Sequence, residues 1–449
     1  MRKEKGDLSE KLNDFVPEAR RRTLERMTRE NVAFPPAGGN VNMHFHSFFS
    51  YNAEGYSPSR IAWESRNAGL YAAGLCDFDV LDGLEEFLDA GRLLGLRTSV
   101  SLETRAYLKE YAQSDINSPG EPGVTYIMGA GFSRMPQPGT PQAAGQAGYR
   151  DRAQRRNLAV LERVNPHMGE AAISYEKDVL PLTPGGSATE RHIVSAYVHK
   201  AISAFEGPAR VAAFWAARLG KPEEEILDLM ADRPSFEELV RSKLVKKGGV
   251  GYEQPSAGTF PPVEEFIRWV LSCDAIPMVT WLDGTSAGEA DGRAMLECMV
   301  SKGCAALNIV PDRNWNIQDP KKREVKVAKL REIVQEAVKM ALPINIGTEM
   351  NKQGLPFVDD LSGEALRPHG DVFLDGARVM VGQTLLARYA GFSYVSAAAL
   401  AELKDRKARN AFFGAVGALP PLDMRRDAEL NQMGTEKALA WFRDEVRRR

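Results

Sequence analysis

Two histidines spaced one residue apart close the run Val41-Asn-Met-His44-Phe-His46-Ser47. On an extended strand, residues i and i+2 face the same side, so both imidazoles point one way. A same-side pair of neutral imidazoles is a natural transition-metal ligand pair, although two surface or capping histidines would share the spacing. Carboxylates at the ends of other apolar runs favour the metal reading. Asp77 ends the run 72–77, Glu103 ends 98–103, and Glu349 follows 343–347. Four separate strand ends thus deliver a set of metal-capable residues, the two imidazoles together with Asp77, Glu103 and Glu349, for a divalent transition metal. Zn, Mn and Fe all suit such a set, and ligand type does not choose among them. The ion would polarise a substrate oxygen and bring a bound water's pKa toward neutrality. Asp77 and Asp283 are candidates to act as general base or to orient that water. The plainer readings are a hydrogen-bond acceptor for Asp77 and turn chemistry before Gly284 for Asp283. Arg105, Arg313 and Lys352 follow strand ends and are candidates to hold a substrate anion, each also readable as a solvated charge.

Such residues must be delivered by separate strand ends. The short apolar runs 41–46, 72–77, 98–103 and 124–129 alternate with helical spacing near 58–69 and 82–95. The rhythm resumes at 276–282, 305–310 and 343–347, with helices near 287–302 and 321–341. This alternation predicts β-α units and a parallel sheet, and functional groups of a parallel barrel sit at the carboxyl ends of its strands. Between the two halves, 133–149 is rich in Pro, Gly, Gln and Ala and predicts an exposed loop. Residues 150–247 are mostly helical, and 248–255 is a second loop. The expected organisation is a helical N-terminal extension (1–38, with a charged helix over 8–31), a first barrel half (39–132) and a helical insertion (133–262). A second barrel half (263–400) and a helical C-terminal extension (401–449) follow.

The 449 residues carry 58 Lys+Arg against 60 Asp+Glu, 43% hydrophobic and 26% charged residues. That composition is ordinary for a globular chain with a sizeable core. Its near-neutral charge removes the electrostatic case for general nucleic-acid binding. Cys76, Cys273, Cys298 and Cys304 form no CxxC pair, which argues against zinc ribbons and disulfide scaffolds. With no export signal at the start and no apolar run of spanning length, the expectation is a cytoplasmic protein off the membrane. Gly129-Ala-Gly131 lacks the Walker lysine and the third Rossmann glycine. No Gly-x-Ser-x-Gly elbow is present. His192 and His199 lie seven apart on one expected helix face of the insertion, while His167 and His369 lie in loops.

Taken in order, the motifs resemble the PHP (polymerase and histidinol phosphatase) family of metal-dependent phosphoesterases. The opening His-x-His-Ser strand matches His44-Phe-His46-Ser47, with Ser50 and Asn52 following. The second motif, Thr-Asp-His-Asp, matches Cys76-Asp77-Phe78-Asp79, and the third matches Val100-Ser-Leu-Glu103. Thr189-Glu-Arg-His192 resembles a recurrent segment, and Gly347-Thr-Glu349-Met-Asn351 resembles the last motif. The resemblance spans about residues 40–352. It implies a distorted (β/α)7 TIM-like barrel interrupted by the insertion. It also implies a metal-activated water attacking a small phosphorylated substrate, with Asn351 beside the cations as a substrate contact. The family's further metal sites need histidines where this chain has Tyr126, Trp281, Asn52, Phe78 and Asn351. The resemblance therefore implies one metal, held by the counterparts of the family's remaining site, His44, His46, Glu103 and Glu349. The same losses keep two alternatives open: a non-phosphate hydrolase, lyase or isomerase on the same barrel, or a degenerate binding module. A homo-oligomer is also left open.

Overall fold

The computed structural model describes residues 8–30, 33–255 and 258–449. Residues 1–7, and residue 31 at the expected end of the first helix, lie outside the described residues. Among the described residues, seven strands make one sheet in chain order. They are β1 (Val41–Phe45), β2 (Ala72–Phe78), β3 (Arg97–Tyr107), β4 (Val124–Ala130), β5 (Ile276–Trp281), β6 (Ala306–Ile309) and β7 (Ile344–Ile346). Both faces of β1, β5, β6 and β7 are buried along their length. This is why they read as continuous apolar runs rather than alternating ones. A parallel bridge between Phe45 and Glu349 links the sheet's two edges, so the sheet is nearly closed.

The expectation of an all-parallel sheet is corrected at β4, which runs antiparallel to both β3 and β5. The connection over 108–123 holds one short 3-10 turn and no α-helix. Parallel strands need a crossover, usually helical, so the chain folds straight back. Two further differences concern helices. The loop expected over 133–149 ends early, because a helix runs over Pro141–Val164 with Thr140 accepting from the Ala143 N–H as N-cap. Pro141 occupies the first helical turn, where a missing N–H is harmless. At the N-terminus the single helix expected over 8–31 is broken, because Pro17 starts a new helix, Pro17–Arg29, after the Asp14–Val16 link.

The helix Gly370–Leu385 packs across the barrel's lower end. Its Gln383 donates to Gly131 O (3.2 Å) and Asp274 O (2.7 Å), and Thr384 Oγ1 meets Ser99 Oγ (2.9 Å). A Cβ on Gly376 of this helix would lie 1.8 Å from Ile344 O, so only glycine permits the approach. At the opposite end, the helices from Glu190–Ala204 to Arg233–Leu244 form a cap with its own apolar core. That core includes Tyr197, Trp215 and Phe236 and is separate from the barrel's. No helix among the described residues is long and apolar enough to cross a membrane.

Candidate metal centre

β1 sends His44 and His46 to the same side, and β3 brings Glu103 against them. Glu103 lies in mid-strand, opposite Phe78 of β2 and Met128 of β4. His44 Nε2 is 3.7 Å and His46 Nε2 is 3.6 Å from Glu103 Oε2. Ligand atoms of the three residues all lie within 4.8 Å of one another, and all three side chains are buried. Both nitrogens of His44, Nε2 of His46 and Oε2 of Glu103 make no hydrogen bond among the described residues. A buried polar atom left without a partner costs about 1–3 kcal/mol, so four in one cluster are costly unless something binds there. Two imidazoles and a carboxylate fit a divalent transition metal.

The surroundings hold this arrangement. Ser50 Oγ donates to Asp77 Oδ1 (2.6 Å), which leaves its oxygen to accept from His46 Nδ1 at 3.2 Å. This network assigns the His46 proton to Nδ1 and leaves the Nε2 lone pair facing Glu103. Asp77 also accepts from the Ser47 N–H and hydroxyl, each at 2.7 Å. Burial raises its carboxyl to about 6 against the pull of those bonds. The His46 ring stacks on Phe78, 4.3 Å between centroids. Burial, then the neighbouring His44, push His46 down to about 3. Burial raises Glu103, and it raises the Cys76 thiol beside His44 to about 12. Asn42 Oδ1 accepts from the His44 N–H at 3.1 Å. A Cβ on Gly347 would sit 2.4 Å from both Asn42 Oδ1 and His44 Cβ.

Glu349 is clamped beside the triad through its backbone. Its N–H donates to His44 O (2.8 Å), and its carbonyl accepts from the His46 N–H (2.9 Å). Glu349 and Met350 both adopt left-handed backbone, φ 62° and 53°, a strain that side chains other than glycine rarely adopt and that clusters at functional sites. The Glu349 carboxylate is turned to Arg313, Nη2 to Oε2 2.8 Å. Burial alone would raise it, but Arg313, and then His44 and His46, hold it at about 2.

The structure gathers His44, His46 and Glu103, with Asp77, Glu349 and Arg313 against them. Other residues singled out by sequence are engaged elsewhere. Asp283 pairs with Lys326 (2.8 Å) and accepts from Thr285 in its turn. Arg105 pairs with Glu121 (2.9 Å) and lies over Phe260. Asn52 bridges His46 O to the Glu54 and Tyr56 N–H groups. Lys352 is exposed and Asn351 half-buried. Sequence reasoning did not assign Ser50 its bridging part, although its place four residues after His46 in the first motif was a usable signal. The Arg313–Glu349 pair had no such signal, because it joins the short helix Asp312–Trp315 to a segment 36 residues further on.

No family model matches the chain, and no curated protein matches it. Among solved structures, a candidate metal-dependent phosphoesterase from Bifidobacterium adolescentis is 18% identical. That match covers 75% of this chain and 96% of the other, with a TM-score of 0.46. An amidohydrolase from Chromobacterium violaceum, solved with bound sulfate and no metal, is 14% identical over the same shares, with a TM-score of 0.47. Neither likeness decides what this chain does.

Proposed function

We propose that this protein is a metal-dependent hydrolase of the PHP type that cleaves a small phosphorylated substrate. The observation that carries the reading is the buried cluster of partnerless ligand atoms on His44, His46 and Glu103. Those three residues would hold one divalent ion, with Glu349 as a fourth ligand. When bound, such an ion supplies Lewis acidity toward a substrate oxygen and acidifies water. The chain's own groups do the rest. Ser50 and Asp77 fix the His46 ring, Asp77 is poised near 6 to take a proton, and Arg313 supplies positive charge at the mouth. A second reading, hydrolysis of a carboxylic ester or amide, is favoured by the aromatic wall of Phe78 and Tyr126, with ring centroids 6.1 Å apart.

The test is metal analysis of the wild type and of His44→Ala/His46→Ala, with circular dichroism to show that the barrel persists. We expect one metal per chain to fall to none. Full metal content in the folded double variant would sink the ligand assignment. A screen of phosphomonoesters against carboxylic esters and amides separates the two readings.

A further inference from the structure

Arg313 stands where its charge matters most. Its strongest electrostatic partner is Glu349, with Glu103 of the triad also within reach. Its side chain is about two-fifths exposed, whereas that of Glu349 is nearly covered. The guanidinium therefore reaches from the open mouth down to the carboxylate. Its Nη2 is bound to Glu349, while its Nε is buried and makes no hydrogen bond among the described residues. The backbone of Glu349 is fixed by His44 and His46, so only its side chain is free to choose a partner.

We propose that Arg313 and the metal compete for the Glu349 carboxylate, and that Arg313, once released, becomes the receptor for an oxyanion of the substrate. This rests on the metal reading above. In the arrangement seen, the guanidinium offsets chiefly the buried Glu349 carboxylate and only weakly that of Glu103, which is favoured first by His44. A divalent ion at the triad takes over that role and repels the guanidinium. Glu349 then turns to the ion, and the planar fork of Arg313 is left unpaired at the mouth. A partly buried guanidinium without an anion is unfavourable, and its donor geometry matches a phosphate or carboxylate edge. Loading the triad thereby creates the anion site. By linkage, an anion on Arg313 tightens metal binding by the same factor. Arg313 is thus a binding and positioning residue that couples the two events.

The experiment compares wild type with Arg313→Met, which keeps the aliphatic stem without the charge, in the full chain stripped of metal. Zinc affinity is read by competition with a chromophoric chelator in anion-free buffer, and inorganic phosphate affinity by calorimetry with and without zinc. We expect Arg313→Met to bind zinc at least several-fold tighter, because a competitor and a like charge are both gone. That gain should shrink when Glu349→Gln is added. Phosphate binding should weaken in Arg313→Met only when zinc is present, since in the stripped protein Arg313 is already occupied. A residue that merely props the loop would leave zinc binding unchanged or weaker, and that result overturns the proposal. So does an undiminished gain in the Glu349→Gln background, or an equal loss of phosphate with and without zinc. If wild type and variants alike bind none of zinc, manganese and ferrous iron, the metal reading itself falls, and the exchange falls with it.

Discussion

Ser50 is a single hydroxyl between a buried imidazole and a buried acid, and it decides which nitrogen of His46 is free. Removing it as Ser50→Ala leaves the His46 Nδ1 without its acceptor and takes one donor from Asp77. Partners behind metal ligands typically contribute 10–100-fold in affinity. Zinc binding by chelator competition should therefore weaken by about that factor in protein that circular dichroism shows to remain folded. Unchanged affinity would show that the ring is oriented by Phe78 stacking alone. At this scale the pairing of His44 with His46 could be read from the chain because a strand's period of two is a rigid rule. Glu103, expected at a strand end, lies in mid-strand because β3 runs on to Tyr107. The engagement of Asp283 with Lys326 could not be read, since a turn aspartate at a strand end looks the same whether it faces a site or a helix. The choice of partner by Glu349 is likewise a tertiary fact with no local code.

Secondary structure followed the same division between local rule and long-range contact. The strand positions emerged from apolar runs, and the helix Pro58–Asn67, which Ser57 caps in the structure, from helical spacing near 58–69. The reversal of β4 did not, because an apolar run carries no arrow. The helix start at Pro141 was hidden by prolines and glycines that also mark loops. One helix start invites a test of its own. His192 accepts the Thr189 N–H at 3.1 Å through Nδ1, closing the N-terminus of Glu190–Ala204, and packs edge-on against Tyr51. Burial lowers its pKa from 6.5 to about 4, and only the neutral ring can accept. The unfolded chain binds this proton below pH 6.5, while the folded one resists it until about 4. Stability from this group is therefore complete above 6.5 and is lost as pH falls through that window. Linkage puts the loss near 2 kcal/mol by about pH 5. His192→Asn keeps an acceptor but cannot titrate. It should show a shallower drop in melting temperature between neutral pH and pH 5 than wild type, and an identical drop would remove His192 from the account.

Across the whole molecule, two separate apolar cores are bridged in part by charged pairs. Arg150 pairs with Asp82 (2.6 Å) and Arg156 with Asp79 (3.3 Å), while Arg191 lies over Tyr51. Because β4 runs downward, the chain leaves it at the plugged end. The 24 residues of Pro141–Val164 then span about 36 Å back to the mouth. Val263–Ser272 makes the return journey beside it, with Tyr149 against Phe266 and Trp269. Where the cap begins and ends, the two chain segments touch. A Cβ on Gly251 would lie 2.6 Å from Val164 Cγ2, and Arg163 Nε donates to Gly251 O at 3.0 Å. Replacing residues 165–250 by a short glycine-rich turn should leave a folded barrel that retains its zinc stoichiometry and loses substrate selectivity. Loss of zinc from the folded product would show that the cap helps to build the metal centre. A narrow neck of this kind makes the cap a cassette. The helical unit can be exchanged, enlarged or discarded without rewriting the strands that carry His44 and Glu103.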